Sequence, residues 1–329
     1  MRSSPLGVGV GVAVSAVCLW LALREVDLAR IIDTLGGASP GYLVLAVGSV
    51  VLASLTGAYR WKMLFHPDQA ELRVGTLWSI TQVGQALNIA LPARVGEIAR
   101  VVLLSGRSRR GTVETAATLA LEKLLDLLMV ALIAAAVLVA IPLPELGPAA
   151  RGVLATVGAI GASAVLLLVL YRRTLVSRLD QAPAVRRGFA WSMVARLRPG
   201  LDRLDRMGSA RVLGPAVLAS AIVWMASALV NYLVIAAVGI DVPPLAAFVT
   251  LAVLQLGTAV PSAPGKIGVY EYLCVLALAP FGVGRGAAVG FGVTLHLVAY
   301  APPLLVGGVL AARWLGELRR GGALGGDTQ

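Results

Sequence analysis

Pro92-Ala-Arg94-Val-Gly96 and Pro264-Gly-Lys266-Ile-Gly268 share one pattern: proline, small residue, base, β-branched residue, glycine. Each follows an apolar segment spotted with polar residues. Val74–Leu91 carries Thr76, Ser79, Thr81, Gln82, Gln85 and Asn88 before it breaks at Pro92. Leu245–Val260 carries Thr250, Gln255 and Thr258 before Pro261 and Pro264, and a further apolar arm runs from Gly268 to Val283. Hydrocarbon offers backbone N–H and C=O groups no partner, so an interrupted segment survives only inside protein or beside a watery cavity. The two elements therefore read as re-entrant or broken helices, and the fold turns on how they sit among uninterrupted spans.

Those spans surround them. A helix needs about 20 apolar residues to cross a bilayer core. Leu6–Leu23, Gly41–Tyr59, Leu124–Ile141, Gly152–Tyr171, Pro215–Val238 and Ala287–Leu310 meet that requirement. The first is too long for a signal-peptide core and runs into Arg24-Glu25 without a small-residue cleavage site, so it is expected to be retained. The 329 residues are 58% hydrophobic and 14% charged, with mean hydropathy +0.85, against about 25% charged in soluble domains. Composition thus excludes a water-soluble globule and a disordered chain. Two cysteines, Cys18 and Cys274, lie in apolar runs and read as inert thiols, not a disulfide framework. Two histidines leave little for a metal site, and no metal or cofactor is expected.

Charge assigns sides. The net charge of +11 sits between apolar segments, where topology explains it better than nucleic acid does. Residues 172–211 hold ten Arg against three Asp, and residues 94–111 hold five Arg against one Glu. Both loops are expected in the cytoplasm, as are both termini. The connections around Glu145 and Asp241 are short and not basic, which suits the outside. This arrangement works only if Val74–Leu91 enters and leaves from the cytoplasm while the second irregular element opens outward. The expected organisation is a first membrane repeat, 1–171, with its re-entrant element at 74–111. A basic loop or interfacial helix follows at 172–211, with Leu197, Leu201, Leu204 and Met207 at helical spacing. A second repeat covers 212–315 with its broken element at 245–284, and 316–329 is a flexible tail. The fold class is an all-α polytopic membrane protein, about six spans plus two broken elements in an inverted repeat.

The repeated element has a chemistry. Proline can begin a helix, because its missing N–H would be unbonded there anyway. Glycine lets backbone approach a ligand, and the start of a half-helix presents free N–H groups and a positive dipole end. Arg94 and Lys266 add full charges. An anionic head group between Arg94, Gly96, Asn88 and Pro92 on one side and Lys266, Gly268 and Pro264 on the other is the expected ligand. The bland alternative is a loop-tip turn with a snorkelling base. Glu97, Glu122, Asp126 and Glu271 would set the charge of those cations or carry a coupled proton. Glu122 and Asp126 share a helix face; an ion pair with Arg94, Arg100 or Lys123 is their structural alternative. Gln82, Gln85, Asn88 and Asn231 also suit hydrogen bonds between helices. His296 reads as a packed, hydrogen-bonded side chain, a proton relay being the alternative. Arg60, in Tyr59-Arg60-Trp61-Lys62, reads as an interfacial anchor, contact with a lipid phosphate being the alternative.

Three motifs in order, Asn88-x-x-x-Pro92-x-Arg94-x-Gly96-Glu97-x-x-Arg100, Glu122-Lys123-Leu124-Leu125-Asp126 and Pro264-Gly265-Lys266-x-Gly268-Val269-Tyr270-Glu271, resemble the lysylphosphatidylglycerol synthase transmembrane-region family, the flippase-like integral membrane proteins. The resemblance spans roughly residues 8–315. It implies the lipid-translocating part of such synthases without the soluble aminoacyl-transferase domain, so aminoacyl transfer is not expected. There is no Walker A motif, no dinucleotide fingerprint, no HExxH and no CxxC, and the chain is not expected to be an enzyme. The expected activity is binding or translocating an anionic phospholipid or lipid-linked substrate across a bacterial inner membrane. Two alternatives stay open. One is a lipid-presenting subunit beside a membrane glycosyl- or phospho-transferase, which would be a lipid-modifying enzyme partner; the other is a small-solute or ion transporter.

Overall fold

The computed structural model describes residues 5–24, 26, 28–91, 95–108, 111–140, 152, 163, 210–258 and 262–323. Regular structure among them is helical, without a strand. Ten α-helices are described in chain order: α1 Pro5–Leu23, α2 Leu28–Gly36, α3 Pro40–Met63, α4 Val74–Ala90, α5 Val95–Arg107, α6 Thr112–Ala140, α7 Ala210–Ala237, α8 Leu245–Gly257, α9 Val269–Leu278 and α10 Arg285–Ala323. Among the described residues three stretches are long and apolar enough to cross a membrane: Pro40–Met63, Leu213–Ala237 and Arg285–Gly316. These match three of the six expected spans. Helix α1 is apolar, and its Gly11–Leu23 part ranks with the shorter apolar helices. Helix α6 is 29 residues long but carries Glu114, Glu122, Lys123 and Asp126. The expected span at 152–171, apart from Gly152 and Ser163, lies outside the described residues. So do Pro92, Arg94, the loop at 172–209, its apolar stripe and the tail beyond Ala323.

Helices α3 and α7 form an antiparallel pair. The Ser39 N–H donates to the Ala237 carbonyl at 2.8 Å, Ser49 Oγ to the Ala226 carbonyl at 3.0 Å and Arg60 Nη1 to Ser220 Oγ at 3.1 Å. Pro40 starts α3, where a missing N–H costs nothing.

Two helical hairpins pack on this pair. Helix α4 stops at Ala90, with Leu91 extended, because the residue before a proline is pushed out of the helical region. Helix α5 returns along α4. A Cβ on Gly96 would overlap the Gly84 carbonyl oxygen, and a Cβ on Gly84 would meet Arg100 Cγ at 2.7 Å. Only hydrogen fits at this crossing. The open end of the hairpin, marked by Leu77 and Leu104, packs with Trp61, Phe65 and Leu119. Helices α8 and α9 form the second hairpin, joined through Pro264–Lys266. Its open end, marked by Val249 and Ala277, packs with Ala134 and Val137. Leu119 and Ala134 lie on the same helix, α6. The hairpins therefore open toward opposite ends of α6.

Helix α10 runs along both hairpins. Thr34 of α2 rests on Gly290, and Gly307 lies so close to α4 that a Cβ would overlap the Gln82 carbonyl oxygen. Near its far end Trp314 carries the Arg107 guanidinium on its ring face at 3.8 Å. Pro302 and Pro303 lie inside this helix without ending it.

Candidate functional site

The first polar cluster joins four helices. Arg100 of α5 grips Glu122 of α6 with two hydrogen bonds, Nη1 to Oε1 at 3.0 Å and Nη2 to Oε2 at 2.9 Å. Arg60 of α3 donates to Asp126 Oδ1 at 2.8 Å and to Ser220 of α7, and lies 3.7 Å from Glu122. Glu97 meets Arg100 at 3.4 Å and Lys123 at 3.2 Å, and Lys123 also reaches Asp126 at 3.7 Å. Among the described residues three cations thus face three anions, and that set is neutral. That balance is what lets charge lie among membrane helices. Arg60, Arg100 and Glu122 are only 3%, 5% and 6% exposed. Trp61 supports the cluster from beneath: its ring lies 4.3 Å under the Arg100 guanidinium, and its Nε1 donates to Thr118 at 3.0 Å.

The second cluster belongs to the other hairpin. Glu271 is the third residue of α9, and its Oε2 accepts the Gly268 N–H at 2.6 Å. Its Oε1 lies 2.7 Å from His296 Nδ1 on α10. Tyr270 stacks on the imidazole with ring centroids 4.5 Å apart, and Tyr300 meets it edge-on at 4.4 Å.

The turn between α8 and α9 has an unusual backbone. Gly265, Lys266 and Gly268 have φ of 72°, 58° and 84°. Glycine adopts this left-handed region freely, but a lysine there costs about 1–2 kcal/mol. Strain of this kind collects at ligand clamps and switches. The turn runs beside the centre of α1. Gly11 faces the Ser262 backbone, Ser15 Oγ accepts the Ala263 N–H at 2.9 Å, and Gly268 abuts the Ser15 carbonyl and Leu19. Helix α1 has 19 residues and is about 28 Å long, so the turn lies near its half-height. Its other neighbour is α4 of the first hairpin. Lys266 is half-buried there.

Several sequence-derived residues thus come together and others do not. Glu97, Glu122 and Asp126 share one cluster, with Arg60, Arg100 and Lys123 as partners. Glu271 lies with His296 instead. Asn88 bridges the first hairpin by accepting the Gly96 N–H on its Oδ1 at 2.7 Å, and Asn231 donates to the Ala247 carbonyl at 3.1 Å. Gln82 Oε1 and Thr81 Oγ1 are buried without a hydrogen-bond partner among the described residues. Arg60 departs from the interfacial-anchor reading: it is buried on Asp126 and Ser220. Its partners are 66 and 160 residues away in sequence, so only its position near a span end was visible. The Trp61 platform and the tyrosines around His296 were likewise unmarked. No group of three or more metal-ligating side chains occurs among the described residues.

Apolar helices in a close bundle, with charge gathered into compensated clusters, define an integral membrane protein. The chain belongs to the lysylphosphatidylglycerol synthase TM region family, whose pattern matches residues 8–307. It is also similar to the glycosyltransferase AglD of Haloferax volcanii, at 26% identity over 91% of this chain and 53% of that protein. The chain therefore spans about half the length of that curated relative.

Proposed function

We propose that this chain binds an anionic phospholipid or lipid-linked phosphate at mid-membrane and carries it between leaflets. In this reading the two hairpins are re-entrant, enter from opposite faces and form an inverted repeat. Their tips meet near the bilayer centre, where transporter sites of this design lie. The observation that carries it is the Pro264–Lys266 turn, strained at Lys266, beside the centre of α1 and against α4. Helix α4 leads directly into Pro92 and Arg94, so the same contact favours two bases serving one phosphate. Membership of a family defined on a lipid-modifying synthase supports a lipid as the cargo. Six spans, cytoplasmic termini and the inner membrane of a bacterium complete the proposal.

The test is leaflet exchange in vesicles holding the full chain and a fluorescent phosphatidylglycerol, read by chemical bleaching of the outer leaflet. Wild type should expose the inner-leaflet probe; Lys266→Ala should slow this at least about tenfold, and Lys266→Arg should retain most of it. Exchange no faster than in empty vesicles would end the reading. A second reading draws on the similarity to a glycosyltransferase: the chain presents a lipid carrier to a membrane enzyme. That reading expects lipid binding without exchange.

A further inference from the structure

Glu271 is engaged at both oxygens, by the Gly268 N–H and by His296. The pair is buried, with side-chain exposures of 8% and 13%. An ionisable pair among membrane helices is expected to serve function. Its surroundings suit a change of charge. Tyr270 lays its ring face on the imidazole, and an aromatic face favours a cation. Facing the pair are Tyr270, Tyr300 and Cys274, whose Cβ and Sγ lie with the Glu271 backbone beside Gly292. Helices α4 and α8 carry no ionisable residue, and α1 carries only Cys18. Helix α2, which carries Asp33, meets α10 through Thr34 at Gly290, about 9 Å along the helix from His296. On α3 and α7, Tyr42, Tyr59 and Tyr232 are exposed, and Arg60 is held by Asp126. Lys62 and Arg211 lie at the far end of that helix pair.

We infer that the Glu271–His296 pair binds one proton in each transport cycle and moves it with the anionic lipid. With the proton the pair is a carboxylate and an imidazolium, net zero; without it the carboxylate faces a neutral imidazole, net minus one. The proton enters from the aqueous side the site then faces and leaves to the other. Nothing else is consumed. The link to cargo is mechanical and electrostatic. Glu271 holds the Gly268 N–H, two residues beyond Lys266, so its charge bears directly on the turn that would hold phosphate. A net negative pair repels phosphate there, and a protonated pair admits it. This inference rests on the lipid-carrying reading and adds its energy source.

The first arm of the test uses vesicles of wild type and His296→Gln with fluorescent phosphatidylglycerol and an imposed pH gradient. One proton per lipid should enrich the lipid in the leaflet facing the alkaline side, by up to about tenfold per pH unit. His296→Gln, fixed at net minus one, should exchange lipid far more slowly than wild type and show no response to the gradient. Wild type that exchanges lipid yet ignores the gradient overturns proton coupling and leaves the lipid reading intact. Wild type that moves no lipid ends the lipid reading, and the second arm then decides the proton site by itself. That arm follows the two histidines by nitrogen-15 resonance in full-length protein, in nanodiscs of zwitterionic lipid with and without phosphatidylglycerol. His66 is exposed and serves as the reference. His296 should take up a proton as the pH is lowered. By reciprocity its midpoint should rise on adding phosphatidylglycerol by more than that of His66. No change of state, or equal shifts at both histidines, refutes the site.

Discussion

Removing the carboxylate of Glu122 should be among the most damaging single changes in the bundle. Glu122 accepts two hydrogen bonds from Arg100, at 3.0 and 2.9 Å, and lies 3.7 Å from Arg60. Glu122→Leu would leave Arg60, Arg100 and Lys123 facing only Glu97 and Asp126, a surplus of one buried positive charge. Breaking a buried pair from one side costs about 3–5 kcal/mol. That is a loss of roughly a hundred- to several-thousand-fold in the folded-to-unfolded ratio. Arg100→Met should cost a comparable amount, because it also strips the Trp61 ring of its cation. Replacing both partners removes the uncompensated charge, so Arg100→Met with Glu122→Leu should recover about 2–3 kcal/mol over the sum of the single changes. Helical content followed against detergent denaturant in mixed micelles measures all four proteins. Single variants as stable as wild type, or additive losses in the double variant, would refute the argument that charge balance holds this cluster.

Three further outcomes follow from the packing and the loop charges. Gly307→Ala should lower the denaturation midpoint clearly, while the adjacent Gly308→Ala, which meets open space, should leave it almost unchanged; equal effects would contradict the α4–α10 contact. Asn88→Ala strips the Gly96 N–H of its acceptor and should cost about 1–3 kcal/mol by the same assay; a neutral result would show that the bond does not hold the hairpin. In a background without Cys18 and Cys274, a cysteine at Ser108 should react with an impermeant reagent only from the cytoplasmic side and one at Asp241 only from the outside; reaction of both from one side would remove the opposed entry of the hairpins.

Periodicity and proline made much of the architecture legible. The break expected at Pro92 falls where α4 ends, because proline acts locally and needs no partner; α8 ends at Gly257, ahead of Pro261 and Pro264. Helix limits were less visible where charge lies inside. The span expected at Leu124–Ile141 belongs to a helix that begins at Thr112, since Glu122, Lys123 and Asp126 are neutralised by side chains on other helices. The span expected to finish at Tyr59 continues to Met63 because Arg60 finds Asp126 and Ser220 within the bundle. The span expected at Ala287–Leu310 lies within the continuous α10, which Pro302 and Pro303 do not break. The candidate residues came from the repeated motif and from charges inside apolar segments. Their sorting into one cluster around Glu122 and another around Glu271 is a tertiary fact, set by which helices face each other.

The central claim is that an anionic lipid occupies the mid-membrane turn at Lys266. It is tested most directly by extracting the full chain with surrounding lipid and identifying by mass spectrometry the lipids retained by wild type and Lys266→Ala. The account predicts that wild type holds a phosphate-bearing anionic lipid well above its share of the bulk membrane, and that Lys266→Ala loses this enrichment while remaining folded. Retained lipid that mirrors the bulk membrane in wild type, or unchanged enrichment in folded Lys266→Ala, would contradict it.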